Sequence, residues 1–360
     1  MKNYLRSDLM DLAPYEEGGS EITYKYKLDA NESPWDIPDR VKEALARKIM
    51  DRANLNRYPD SNSTLLREAI GEYCNVSPNK VIVGSGSDEL IQILTTAFVD
   101  KGDSVIFPAP SFGMYKIFTL IAGGRPVEIP LDVDFKYNIE AFKSAIYQYK
   151  PKLVFICSPN NPTGNIIKAN EVLEIAKDFD GIVVVDEAYG EFTQGTAVNL
   201  IDKCSNLVVL KTFSKALGLA GLRIGYSISA PELAKQILKV KPPYNINSFS
   251  QQAAIITLEN FDIVKKRVHE ILKQREFLYQ ALRDMKGIKV YPSEANFLLI
   301  RVPNGNHVWQ KLLDRGILVR NFSQSPYLEN CLRVTIGGHK ANQAVIDAMR
   351  EIMAELKRGD

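Results

Sequence analysis

The sequence predicts an α/β protein, with a mostly parallel central sheet covered by helices and a smaller α+β C-terminal domain. Two observations predict it. From about residue 80, short Val- and Ile-rich runs alternate with helical patterns, and after residue 248 a long charged helical stretch gives way to a strand-rich end. Strands buried on both faces read as continuous apolar runs, and their alternation with helices selects the parallel arrangement.

Taken in order, "KVIVGS" is a strand that turns through glycines into the helix "SDELIQILTTAF". "SVIFP" is the next, followed by a helix expected from near Ser111. Further strands are "KLVFICS", "GIVVVDEAY", "NLVVLKT" and "IGYSIS". Polar residues gather at their carboxyl ends, where open α/β sheets bind ligands. "KPPYNINS" (241–248) leads into a helix expected over about 250–284, and "GIKVYP", "ANFLLIRV", "GILVRN" and "LRVTIGG" follow as strands. The 360 residues exceed what one core usually serves. The expected division is an N-terminal arm over 1–30, a large domain over 31–260 and a small domain over 261–360.

Composition narrows the function. The 45 basic residues nearly balance 43 acidic ones, leaving a net charge of +2. A general electrostatic footprint for nucleic acid or an anionic membrane is absent. No apolar run reaches the roughly 18 to 20 residues that cross a bilayer. Cys74, Cys157, Cys204 and Cys331 lack C-x-x-C spacing, and His269, His307 and His339 lack any ligand spacing. A reduced, cytoplasmic chain without a metal is expected.

The chemistry starts at "LKTFSKALGLAGLRIGY" (210–226), where an apolar run breaks into Thr212, Ser214, Lys215 and, eight residues on, Arg223. A free lysine, with a pKa of about 10.4, is neutral in fewer than about one molecule in a thousand at pH 7. Lowering that value by roughly three units takes about 4 kcal/mol. The neighbourhood must supply it. Two hydroxyls and a fork-shaped guanidinium make a phosphate site, and a lysine beside such a site suits a Schiff base to pyridoxal phosphate. "SPNNPTG" carries Asn161, and "VVVDEAY" carries Asp186, 25 residues past Asn161, and Tyr189. An aspartate past a strand can also cap the next helix. An ionised Asp186 would keep a pyridine nitrogen protonated, and Asn161 and Tyr189 can donate to the ring's phenolate oxygen. "VGSGSDEL" lacks the third glycine of a dinucleotide loop. It reads instead as a turn whose following N–H groups, at Gly86, Ser87 and Asp88, receive the phosphate.

The S-K-x-x-x-x-x-G-x-R pattern through Ser214, Lys215, Gly221 and Arg223 resembles that of fold-type I aminotransferases of the aspartate aminotransferase superfamily. The resemblance implies pyridoxal phosphate on Lys215 and an aromatic residue stacked on its ring. The stacking position is Phe112 of "PSFGMY", where relatives usually carry tyrosine. Finer segments resemble the histidinol-phosphate aminotransferase family: "APYEEG" with Tyr15, "LDANESPW" with Asn31, "NRYPD" with Tyr58, "GILVRN" with Arg320 and "CLRVTIG" with Arg333. That likeness implies exchange of an amino group between histidinol phosphate and glutamate or 2-oxoglutarate. Tyr15, Asn31, Arg320 and Arg333 are then expected on the substrates. Tyr58 is expected to reach the cofactor phosphate of the neighbouring subunit, so that a homodimer has composite sites. Threonine-phosphate decarboxylation and aromatic amino acid transamination share the same constellation and stay open, as does a non-catalytic pyridoxal-binding module.

Overall fold

The computed structural model describes residues 4–10, 12, 23–52, 55–177 and 179–358. The expected substrate contact Tyr15 lies outside them. The strands are β1 (Tyr26–Leu28), β2 (Val81–Gly84), β3 (Ser104–Ala109), β4 (Arg125–Pro130), β5 (Leu153–Cys157), β6 (Ile182–Asp186), β7 (Leu207–Thr212), β8 (Gly225–Ser229), β9 (Lys289–Val290), β10 (Phe297–Arg301), β11 (Ile317–Asn321) and β12 (Cys331–Thr335). The helices are α1 (Asp39–Arg52), α2 (Thr64–Cys74), α3 (Gly86–Phe98), α4 (Met114–Ala122), α5 (Ile139–Tyr149), α6 (Ala169–Ala176), α7 (Pro231–Ile237), α8 (Ser248–Glu259), α9 (Phe261–Arg283), α10 (Gly305–Asp314) and α11 (His339–Arg358).

Seven strands form the large sheet in the order β2-β8-β7-β6-β5-β3-β4. Its apolar runs divide by alternation. Val154, Ile156, Val183, Val185 and Val209 pack with Leu66 and Ile70 of α2, Phe142 of α5 and Val172 of α6. Leu153, Phe155, Val184, Val208 and Leu210 pack with Leu90 and Ile91 of α3, Tyr115 of α4 and Leu233 of α7. Period-two alternation sends neighbouring side chains to opposite helix layers, which is why these strands carry no polar face.

The direction of β8 sets the site edge. Strands β3, β5, β6 and β7 run parallel, so their carboxyl ends lie along one edge. Strand β8 runs antiparallel to both β7 and β2. Its beginning, just after Arg223, therefore meets the ends of β7 and β2 at that same edge. Thr212 pairs with Gly225, and Gly84 pairs with Gly225 from the other side.

A five-stranded sheet, β1-β11-β12-β10-β9, holds the C-terminal strands, with β1 parallel to β11 and the other pairs antiparallel. Helices α9 and α10 pack on its strands, and α11 packs on both. Three features depart from the sequence expectation. The helix expected over about 250–284 is two helices that meet at Asn260, whose backbone leaves helical geometry (φ −113, ψ 30) while its side chain donates to Ile256 O at 2.8 Å. Helix α4 begins at Met114 rather than near Ser111. Two strands were not expected: β1, inside the arm, and β4, which contains Pro126 and Pro130 and pairs with β3 alone at the sheet edge, where prolines are tolerated.

Gly225 has a specific steric reason. A Cβ there would collide with the backbone of Gly86 and Ser87, so only glycine lets β8 pass against the first turn of α3. Gly225→Ala is expected to lower stability by about 1–3 kcal/mol, the usual range for overpacking, as measured by urea denaturation.

Candidate active site

A cavity of about 1350 Å³ opens at this edge, between the two sheets, and gathers residues from both. Ser87 and Asp88 line it from the first turn of α3, Phe112 from the segment after β3, and Asn161 from the segment after β5. Asp186 ends β6, Thr212 ends β7, and Tyr189, Ser214, Lys215 and Arg223 follow from the adjoining loops. Asn31, Arg320 and Arg333 line it from the small-sheet side.

At one end lies an anion cradle. Ser214 N donates to Thr212 Oγ1 (3.1 Å), the two hydroxyls are 3.0 Å apart, and Arg223 Nη1 reaches Ser214 Oγ at 3.5 Å. Arg223 has a left-handed backbone (φ 51) and is anchored by Asp88 at 3.1 Å. Gly86 has φ 77, and a Cβ on it would meet the Arg223 guanidinium at 2.5 Å. The first N–H groups of α3 and the helix dipole add to the positive field. Asp88 thus supports Arg223 through its carboxylate.

Asp186 is buried, 2% exposed, and accepts from Tyr115 Oη at 2.7 Å and Ala188 N at 3.0 Å. Burial pushes its pKa up to about 6 against the restraint of these two donors. Among the described residues no lysine or arginine pairs with it. Tyr115 is fully buried and stacks on Phe155 at 4.7 Å, while Phe112 meets it edge-on at 5.7 Å. Tyr189 accepts from Asn31 Nδ2 at 2.9 Å, and burial raises its phenol to about 12.

Lys215 Nζ donates to Ala30 O at 2.9 Å and lies 5.9 Å from the Tyr189 ring centre. Burial lowers its pKa to about 8, and repulsion from Arg333 adds to the effect. This is the cost identified from the lysine itself, met by desolvation and a neighbouring cation. Arg333 donates to Asn161 Oδ1 at 2.5 Å and to Asp29 O, between the rings of Phe297 (5.5 Å) and Phe322 (5.7 Å). Arg320 is its direct partner across the β11–β12 pair. Opposed residues in an antiparallel pair share a face, and like charges placed so repel.

The chain from residue 23 to 349 matches the family model for aminotransferase class I and II. The chain belongs to the aminotransferase class I and II family. It is 46% identical over 354 residues to a histidinol-phosphate aminotransferase of Caldanaerobacter subterraneus subsp. tengcongensis, covering 98% of this chain and 100% of that one. Its fold superposes on the histidinol-phosphate aminotransferase of Sinorhizobium meliloti, solved in complex with pyridoxal-5'-phosphate, with a TM-score of 0.89 at 24% identity and 99% coverage of both chains. The Clostridium acetobutylicum histidinol-phosphate aminotransferase gives 0.84 at 27% identity, covering 92% of this chain and 99% of that one.

Of the residues singled out in the sequence, Tyr58 does not line this aminotransferase's cavity. It is 82% exposed and stacks on Tyr244 with ring centres 4.6 Å apart. Sequence reasoning missed Tyr115 and the carbonyls of Asp29 and Ala30. Tyr115 stood in the quoted "PSFGMY", three residues past Phe112, but nothing in the sequence pairs it with an aspartate 71 residues away. Carbonyls leave no sequence signal at all.

The depressed lysine makes a testable pH profile. The neutral amine is the nucleophile, so reductive labelling of Lys215 by a small aldehyde is expected to rise through a midpoint near 8, where an ordinary lysine has its midpoint near 10.5. Arg333→Leu should move that midpoint upward, because the repelling charge is gone. Peptide mass spectrometry across a pH series measures both.

Proposed function

We propose that this enzyme is a pyridoxal-phosphate-dependent histidinol-phosphate aminotransferase. It moves the amino group between L-histidinol phosphate and 2-oxoglutarate in ping-pong fashion, giving imidazole acetol phosphate and L-glutamate. One observation carries the reading: Arg320 and Arg333, opposed across β11 and β12, line the same cavity as the cradled Lys215. The names borne by the bacterial relatives support it.

The residues fit the cofactor. Thr212, Ser214, Arg223 and the N–H groups at Gly86, Ser87 and Asp88 would hold its phosphate. The buried Asp186, lacking a cation among the described residues, would face the protonated ring nitrogen. Phe112 would pack on the ring, and Asn161 and Tyr189 would meet the ring oxygen. When bound, pyridoxal phosphate supplies an electron sink for the carbon that carries the amine. Lys215 would hold it covalently, and its Nζ, whose charged form burial disfavours, would be the group placed to accept a proton from the substrate carbon. Arg333 orients the substrate anion, with Asn161 and the Asp29 carbonyl fixing its guanidinium, and Tyr15 and Asn31 complete the substrate contacts.

The same reading divides the chain into an arm over 1–30, a large domain over 31–260 and a small domain over 261–360, and makes the enzyme a cytoplasmic homodimer. The exposed Tyr58, stacked on Tyr244 outside its own cavity, supports delivery of its hydroxyl to the cofactor phosphate of the partner subunit. Among the described residues no helix is long and apolar enough to cross a membrane.

Arg320→Ala is expected to damage the histidinol-phosphate half-reaction more than the glutamate one. A phosphate carries about −1.5 to −2 charge, whereas a carboxylate can be satisfied by Arg333 in a bidentate pair. A charge-assisted bond of roughly 1.5–3 kcal/mol corresponds to a loss of about ten- to over a hundredfold in kcat/KM. Stopped-flow absorbance of each half-reaction measures it, with Arg333→Ala expected to weaken both. Equal losses for Arg320→Ala would remove the dedicated phosphate site.

Subunit mixing checks the composite site. Inactive Lys215→Ala mixed with an impaired Tyr58 variant should regain partial activity through hybrids with one intact site. No recovery in proven hybrids would place Tyr58 in its own subunit's site.

A further inference from the structure

Thr335 makes no contact with the cavity described above, yet it is the end of a buried hydrogen-bond relay that reaches it. It is the last residue of β12, two positions past Arg333 and therefore on the same face of the strand. Its hydroxyl accepts from Asn31 N at 3.0 Å and donates to Asn31 Oδ1 at 3.1 Å. Asn31, held at φ 53 with its carbonyl accepting from Asn296 Nδ2 at 3.1 Å, turns its Nδ2 to Tyr189 Oη at 2.9 Å. Thr335, Asn31 and Tyr189 are all buried.

The direction of each bond follows from the first. A backbone N–H can only donate, so Thr335 Oγ1 accepts from Asn31 N and keeps its own hydrogen for Asn31 Oδ1. The opposite amide orientation would leave the Thr335 hydrogen without an acceptor among the described residues, which is costly for a buried donor. With the amide so oriented, the Tyr189 oxygen accepts from Asn31 Nδ2. Its single hydrogen has no other partner among the described residues, and Tyr189 lines the cavity. That hydrogen is left for the bound group.

We propose that Thr335 is a positioning residue that, through the Asn31 amide, forces Tyr189 to act as a hydrogen-bond donor toward the cofactor's ring oxygen. The proposal rests on the cofactor placement given above. It also joins two tasks on one strand: β12 carries Arg333 for the substrate anion and, two residues later, the group that sets Tyr189.

The consequence is electronic. A donor on the ring oxygen draws off negative charge that otherwise retains the proton on the nitrogen joining cofactor and Lys215. Losing that donor raises the pH at which this proton leaves, and the visible absorbance band reports it. The titratable and charged groups around Tyr189 are Arg333, Cys157, Asp186 and Lys215, and a change at Thr335 leaves all four in place.

The experiment is a spectrophotometric pH titration of the parent holoenzyme and five variants. Thr335→Val is expected to raise the midpoint by roughly half to one pH unit, the worth of one neutral hydrogen bond, and Thr335→Ser to restore the parent value. In a Tyr189→Phe background, Thr335→Val should add nothing, because the hydrogen it directs is gone. Asn31→Asp offers Tyr189 only acceptors and tolerates the left-handed backbone. It should raise the midpoint as well, which keeps the test alive if Thr335→Val does not fold. An unchanged midpoint in both Thr335→Val and Asn31→Asp, or a full Thr335→Val shift that persists in Tyr189→Phe, overturns the proposal. Absence of any visible band on Lys215 in the parent enzyme would instead overturn the cofactor reading.

Discussion

Burial acts on acids and bases in opposite directions, and this molecule places one of each in the same cavity. Desolvation raises Asp186 to about 6 and lowers Lys215 to about 8, so each is drawn toward its neutral form. Neither relieves the other. Asp186 rests on Tyr115 and the Ala188 N–H, while Lys215 rests on the Ala30 carbonyl. Two groups poised on either side of neutral pH, held apart by uncharged partners, form a site that gains most from a ligand bringing a cation to one and an electrophile to the other. The ends of the sheet strands, the cradle around Arg223 and the opposed arginines all line the cavity that holds both groups.

A second lysine shows that environment, not residue type, makes the difference. Lys211 lies only four residues before Lys215 and is also buried, but it pairs with Glu187 at 3.3 Å and Glu191 at 3.1 Å. Those carboxylates overcome desolvation and hold its pKa above the ordinary lysine value. Lys211 is therefore held in its charged form, while burial and the neighbouring Arg333 favour the neutral form of Lys215. Buried ion pairs of this kind contribute little net stability, though breaking one leaves an unpaired charge and costs several kcal/mol.

The short segment from Asp29 to Asn31 is where the two sheets become one site. Its carbonyls accept from the Arg333 guanidinium and the Lys215 amine, and the Asn31 side-chain amide donates to Tyr189 and accepts from Thr335. Strand β1 fixes this segment by pairing with β11. Arg333 of the small sheet and Lys215 of the large one are thus tied through three consecutive residues, most of whose bonds are made by main-chain atoms.

The central sheet was legible in the sequence because strands buried on both faces must be continuous apolar runs, and "LVFIC", "IVVVD" and "LVVLKT" are such runs. The polar residues at their ends, Asn161, Asp186, Thr212 and Lys215, were legible for the same reason, since a parallel sheet delivers those ends to one edge. The edge strand β4, with its two prolines, and the three-residue β1 left too little periodicity to read. Residue chemistry also determined that a lysine beside hydroxyls and an arginine suits a phosphate-bearing aldehyde. Only the tertiary structure decided that β8 runs backward, which brings Arg223 to the cradle, and that Arg320 and Arg333 oppose each other. It alone paired Tyr115 with Asp186, and Thr335 with Tyr189 through Asn31. Those facts depend on strand direction, register and hydrogen-bond direction between segments far apart in the chain, and local sequence encodes none of these.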